Sequence, residues 1–298
     1  MSDFTPIDLR DRAFPETVAQ PDFERLLADY KRDLVALYPE VTEVVNSETD
    51  PLVIILQIVA SEVVRMRGLI NDEARKNTLA HGFGSSLDNF GDFWGLARHV
   101  LQAADPNARP PVPEVLESDA DFRKRIQLAP EGLTSAGSSG SYIYHSLNAS
   151  SEVKAAWPFR SGPGVVTVAI LSNEGDGTAS PALLQQVTDY VDGRQPLCAD
   201  HVFQSAQIIP YEVEARITFL PGYGTQELME KCRVSVDVHC AQRHNLGVDI
   251  TRAGLTHALF LDGVQNVELL SPAADVVCTS QQAAIRTDTR LTDGGELV

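Results

Sequence analysis

From Asp50 to Asn77 the chain reads DPLVIILQIVASEVVRMRGLINDEARKN, and its apolar positions recur with helical spacing. Leu52, Leu56, Val59, Val63, Met66 and Ile70 follow at alternating steps of four and three, an unbroken heptad seam. Val53, Ile54, Ile55 and Ile58 widen the apolar surface of the first half, whereas Arg65, Arg67, Asp72, Glu73, Arg75 and Lys76 charge the second. Asp50 precedes a proline, which disfavours helical geometry at that residue and lets its carboxylate cap a helix with Pro51 at the first position. A helix of roughly 27 residues is about 40 Å long, more than a small domain needs. It is either a long core helix of its own chain or a stave in a bundle shared with other chains.

Residues 1–21 carry three prolines and no helical period, which predicts an extended arm that lies on a surface. Asp22 caps a helix whose apolar face is Phe23, Leu26, Leu27, Tyr30, Leu34 and Leu37, ending before Pro39. After the long helix, Ser85 and Asp88 have capping-box spacing ahead of SLDNFGDFWGLAR, completing a helical region over residues 22–100. Residues 101–116 hold four prolines and no period, which predicts a stiff linker.

A middle domain is expected over 117–208. Ser118 and Asp121 form another capping box, then come a Gly/Ser-rich turn, a helix, two strand-like runs separated by SGPG, a helix capped by Ser180, and a strand. A C-terminal domain over 209–298 opens with YEVEARITFL, whose alternation marks a half-buried strand. Two helices and the strands VQNVELL, DVVCTS and AAIRTDTRLT follow. HSLNASSEVKAAWP and HALFLDGVQNVELLSP look alike, which suggests a degenerate duplication. The fold class is therefore α+β: an N-terminal helical region with a long bundle-forming helix, then two small mixed units with short sheets.

Composition narrows the function. A formal net charge of −17 on 298 residues repels phosphate backbones and anionic lipid, so nucleic acid and membrane are not expected partners. The longest apolar run, LVIILQIVA, is too short to span a bilayer, and no charged-then-apolar leader opens the chain. Cys198, Cys232, Cys240 and Cys278 form no CxxC pair, so reduced thiols in a cytoplasmic setting are expected.

Each chemical motif has a structural competitor. Ser138 in AGSSG imitates a nucleophile elbow, and His257 with Asp249 could complete a triad on paper. An elbow needs a strand directly before the serine, however, and a turn stands there, so a helix cap is the better reading. His239, Cys240 and His244 make an incomplete zinc set. Glu117, Asp119 and Asp121 sit where carboxylates favour a first helical turn. The loop around Asp176 lacks the ligand periodicity of a calcium site, and the GFG at 82–84 lacks the strand of a dinucleotide site. Arg123, Lys124 and Arg125 read as a solvated basic face. No catalytic, cofactor or metal residue is expected.

The run from Glu117 to Pro158 resembles the signature of the baseplate J-like family, wedge proteins of contractile phage tails and phage-derived tailocins. The matching marks are Glu117-Ser118-Asp119, Phe122-Arg123, Arg125-Ile126, Ala136-Gly137-Ser138 and Tyr144-His145. Agreement extends upstream through GSSLDNFGDFWGLAR and downstream through QRHNLGVDI and DGVQNVEL. The resemblance implies a structural, non-enzymatic subunit made in the bacterial cytoplasm, two copies of which join one tail-protein-I-like wedge subunit through an interlocked helical bundle. It further implies that the C-terminal domain pairs with its equivalent in the neighbouring wedge, closing a ring around the central hub beside the sheath initiator. On that reading Leu52, Leu56, Val59, Val63, Met66 and Ile70 are the bundle seam. A stand-alone homo-oligomeric adaptor, or a hydrolase centred on Ser138, are the alternatives.

Overall fold

Asp50 does what its place before a proline requires. In the computed structural model, its carboxylate accepts the Leu52 N–H at 2.9 Å and opens helix α2 (Pro51–Lys76). The structure describes Ile7, Leu9, Arg12, Ala13 and residues 22–134, 136–195, 200–221 and 225–296, so nearly all of the expected arm, and Cys198, lie outside the described residues. Helix α1 (Phe23–Leu37) begins at Asp22, whose carboxylate accepts the Glu24 N–H at 3.0 Å, and packs on α2. Helix α3 (Ser85–Phe93) departs from expectation: Gly84, at φ +52°, holds the cap position, and Asp88 binds Arg98 Nε at 2.6 Å. The capping box at Ser85 does not form, because a guanidinium offers that carboxylate a charge-assisted bond. The box at Ser118 does form: Ser118 Oγ donates to Asp121 Oδ2 at 2.7 Å and accepts the Asp121 N–H at 3.2 Å, opening α4 (Asp119–Leu128).

The expected linker contains paired backbone. Strands β1 (Val100–Gln102) and β2 (Val115–Leu116) form an antiparallel ribbon, and Asp105 and Val112 exchange both backbone bonds beyond it. The prolines fall outside the ladder positions, where no N–H is needed. The chain separates into two compact units. A helical unit takes residues 7–98 and 118–126; a mixed unit takes 99–117 and residues from 127 onward. The start of α4, expected to open the middle domain, packs in the helical unit because Phe122 and Ile126 are buried there.

In the mixed unit, α5 (Ser139–Ala149) precedes the hairpin β3 (Val153–Gly162) and β4 (Val165–Ser172), which turns through Gly164 at φ +76°. Helix α6 (Pro181–Val191), capped by Ser180, returns the chain to β5 (Asp200–Ser205), parallel to β4. Tyr142, Val168, Ile170, Leu183 and Val187 fill the space between this sheet and its helices. Next come β6 (Gln207–Phe219), α7 (Thr225–Arg243), α8 (Arg252–Leu259), β7 (Val264–Ser271) and β8 (Gln282–Glu296). Alternate β6 residues Val213, Ala215, Ile217 and Phe219 meet Cys232, Val236 and Leu255 from α7 and α8. DVVCTS is not a strand. Val276 makes one bridge with Ile250, and the Cys278 N–H is held by Asp249 Oδ1 at 2.8 Å.

The two sheets share one plan, a central strand with one antiparallel and one parallel neighbour: β3-β4-β5 and β7-β6-β8. The two look-alike sequences are α5–β3 and α8–β7, each a helix followed by the antiparallel edge strand. They differ in order: one precedes its central strand, the other follows it. The fold is α+β, as the pattern predicts.

Candidate partner-binding surface

The side chains of α2 divide into two faces. Val53, Ala60 and Asn71 are buried, while Val59, Met66 and Ile70 are 44%, 56% and 49% exposed. Leu52, Leu56 and Val63 lie between, half-buried. The heptad seam therefore runs along a border. The outward apolar stripe, made of Ile55, Ile58, Val59, Met66, Leu69 and Ile70, is turned about 60° from the seam's centre. Glu62 interrupts it, with Arg65 Nη2 bound at 2.8 Å. Across the described residues of the helical unit, eight apolar side chains are buried and twelve large ones are exposed. Such a ratio leaves a domain's own core short of apolar contact, and covering each half-exposed side chain recovers about 1 kcal/mol.

Arginines hold the far end of this helix. Arg123 donates to the carbonyls of Leu79 and Gly82 at 2.7 and 2.5 Å, closing the turn after α2. Arg125, only 6% exposed, donates to Ala97 O at 3.3 Å. Phe122 sits between two guanidiniums, with Arg98 at 4.9 Å and Arg125 at 5.7 Å from the ring centre. Gly91 makes room for it, since a Cβ there would stand 2.4 Å from the ring. Arg98 also binds Asp119 at 2.6 Å. Burial pushes the Asp119 carboxyl up, but Arg98 and the Gly84 N–H outweigh that and leave it below its ordinary value. The basic run is thus not a solvated face. Only Lys124, on Asp121 at 2.9 Å, is exposed.

The remaining signature residues have structural work too. Glu117 accepts the His99 N–H at 3.1 Å at the base of the ribbon. Gly137 supplies a positive φ of +71°; Ser138 then accepts the Ser141 N–H at 3.2 Å and donates to Glu131 at 2.8 Å. Ser138 is a helix cap; neither His257 nor Asp249 is among its hydrogen-bond partners. Tyr144 lies on Gly132, where a Cβ would come within 2.2 Å of the ring. Cys240 meets the Tyr211 hydroxyl in the core, His244 binds Ala284 O at 2.8 Å, and His239 packs beside Gly254. Burial raises the Cys232, Cys240 and Cys278 thiols, which makes them poor ligands and nucleophiles. Among the described residues no three His, Cys, Asp or Glu side chains could hold a metal ion. No described helix is long and apolar enough to cross a membrane. Asp176 caps the Thr178 N–H at 2.9 Å.

The outward stripe of α2 leaves apolar side chains exposed, and Arg123 closes the turn behind them. A model of the baseplate J-like N-terminal domain matches residues 48–105, and one of the baseplate J-like central domain matches residues 134–205. The chain is 36% identical over 296 residues to baseplate protein J of Escherichia phage P2, covering 97% of this chain and 98% of that protein. A chain in the cryo-EM structure of the anti-feeding prophage baseplate is similar at 15% identity and a TM-score of 0.42. That match covers 60% of this chain and 44% of that one, so it spans under half of the prophage chain. The protein belongs to the baseplate J-like family: it is a structural component of a phage-type tail baseplate, and not an enzyme.

Proposed function

We propose that the chain is a wedge subunit, two copies of which join one tail-protein-I-like subunit through a shared helical bundle. The C-terminal domain, residues 209–298, links neighbouring wedges into a ring around the hub, in contact with the sheath initiator. Assembly takes place in the bacterial cytoplasm. The observation that carries this reading is the outward stripe of α2, a second apolar face on a helix whose first is already buried within its own chain. Val59, Met66 and Ile70 of the seam lie on it, and Leu52, Leu56 and Val63 flank it. The baseplate name of the phage P2 relative supports the setting. A ring that opens on a signal needs interfaces of moderate net strength, with states separated by a few kcal/mol.

The test is the mass, by light scattering after size exclusion, of this chain co-expressed with the candidate second wedge protein. A complex of two copies with one partner is expected. Val59→Asp with Met66→Asp, on exposed positions that leave the inner face intact, is expected to abolish it. A monomer that ignores the partner would overturn the wedge reading.

A further inference from the structure

β8, at fifteen residues the longest strand among the described residues, lies at the edge of its sheet. Leu246 bridges Ala283 near its start; from Ile285 onward, among the described residues, no strand pairs with its outer side. An open edge this long is a template for another strand. Here it is shielded by its own side chains. Asp288 Oδ1 takes the Thr289 N–H at 2.8 Å, and Asp293 Oδ1 takes the Gly295 N–H at 2.7 Å. Asp288 and Arg290, 47% and 61% exposed, bind each other at 2.9 Å on the outer face.

We propose that this edge pairs with β8 of a second copy, antiparallel about a two-fold axis through Thr289. The proposal rests on the wedge reading and names the contact between neighbouring wedges. Charge decides the register. With the axis at Thr289, Asp288 of each copy stands opposite Arg290 of the other, twice over. An axis at Asp288 sets Asp288 against itself; an axis at Arg290 sets two guanidiniums face to face. The two copies together make one six-stranded sheet, β7-β6-β8 continued by its mirror order. The Asp288 carboxylate that shields the free edge turns from its own strand to the partner's arginine, so the edge stays closed there until a matching one arrives.

The experiment is a charge swap read by sedimentation equilibrium, on the full chain alone and in complex with its wedge partner. Asp288→Arg and Arg290→Asp, each alone, place like charges opposite one another and are expected to weaken association of copies roughly tenfold. The double variant restores complementarity and is expected to recover the wild-type association. Single swaps without effect, a double no better than the singles, or a wild-type chain that never self-associates would each overturn the pairing. Formation of the mixed wedge complex is scored separately in the same samples. Its absence counts against the wedge reading, and its presence with indifferent swaps counts against this edge alone.

Discussion

One buried and two half-buried histidines give the mixed unit a direction of pH dependence. His145 packs edge-on to Tyr144 at 5.1 Å, and its Nδ1 has no hydrogen-bond partner. Burial first, and then the Arg194 charge, hold it below 6.5. Burial lowers His239 as well, helped by Arg243, and lowers His244 despite its bond to Ala284 O. A folded pKa below the unfolded one means that the unfolded chain binds more protons as pH falls. Stability from these groups is complete above about pH 6.5 and is lost as pH drops towards their folded values. Asp119 and Asp176, both held low, add a second loss in the more acidic range below. The urea midpoint is expected to fall between about pH 7.5 and about pH 5, and His145→Gln to flatten part of that fall. A level midpoint across this window would contradict the assignment. None of this is legible in the sequence, where His145 stands beside Tyr144 as an ordinary helical residue. Arg123 and Arg125 teach the same lesson: their acceptors are carbonyls as far as 44 residues away, which a charge count cannot see.

α2 shows where pattern reading succeeds and where it stops. Its cap, its start and its length follow from Asp50, Pro51 and the heptad spacing, and the structure places it at Pro51–Lys76. The side its own chain covers does not follow. Val53, Ala60, Arg67 and Asn71 also recur near seven and four, so two seams compete, and the fold buries the one beside the expected seam. The ribbon at 100–116 was hidden because prolines dominate the segment while only short runs pair. The duplicated sheet plan was half visible, in two matching helix–strand sequences whose order about the central strand only topology reveals. Energetics add a consequence for α2. Val53, Ile54, Ile55, Ile58, Val59, Val63, Val64 and Ile70 are β-branched and Gly68 lies mid-helix, so intrinsic propensity is poor and packing must hold the helix. With one face bare, α2 amides in the isolated chain are expected to exchange faster than those of β4 and β6, and to become protected in the wedge complex. Equal protection of α2 and the sheets in the lone chain would show that packing within its own chain suffices.

At the scale of the whole molecule, net charge opposes the assembly that the surfaces favour. Every copy carries −17, so any contact between copies works against a long-range repulsion. The apolar stripe of α2 is indifferent to salt, and the Asp288–Arg290 pairs across β8 are exposed and few, each worth at most about 1 kcal/mol. Repulsion between whole chains acts over the Debye length, about 30 Å at 0.01 M salt and about 8 Å at 0.15 M. Screening therefore removes more repulsion than attraction. Self-association of the full chain is expected to tighten as sodium chloride rises from about 0.02 M to about 0.3 M. Binding of a basic partner would weaken over the same range. Sedimentation at both salts, with and without the wedge partner, separates the two. If association of copies weakened with salt, local charge pairs rather than apolar surface would be holding them together, and the stripe on α2 would lose its standing as the main contact.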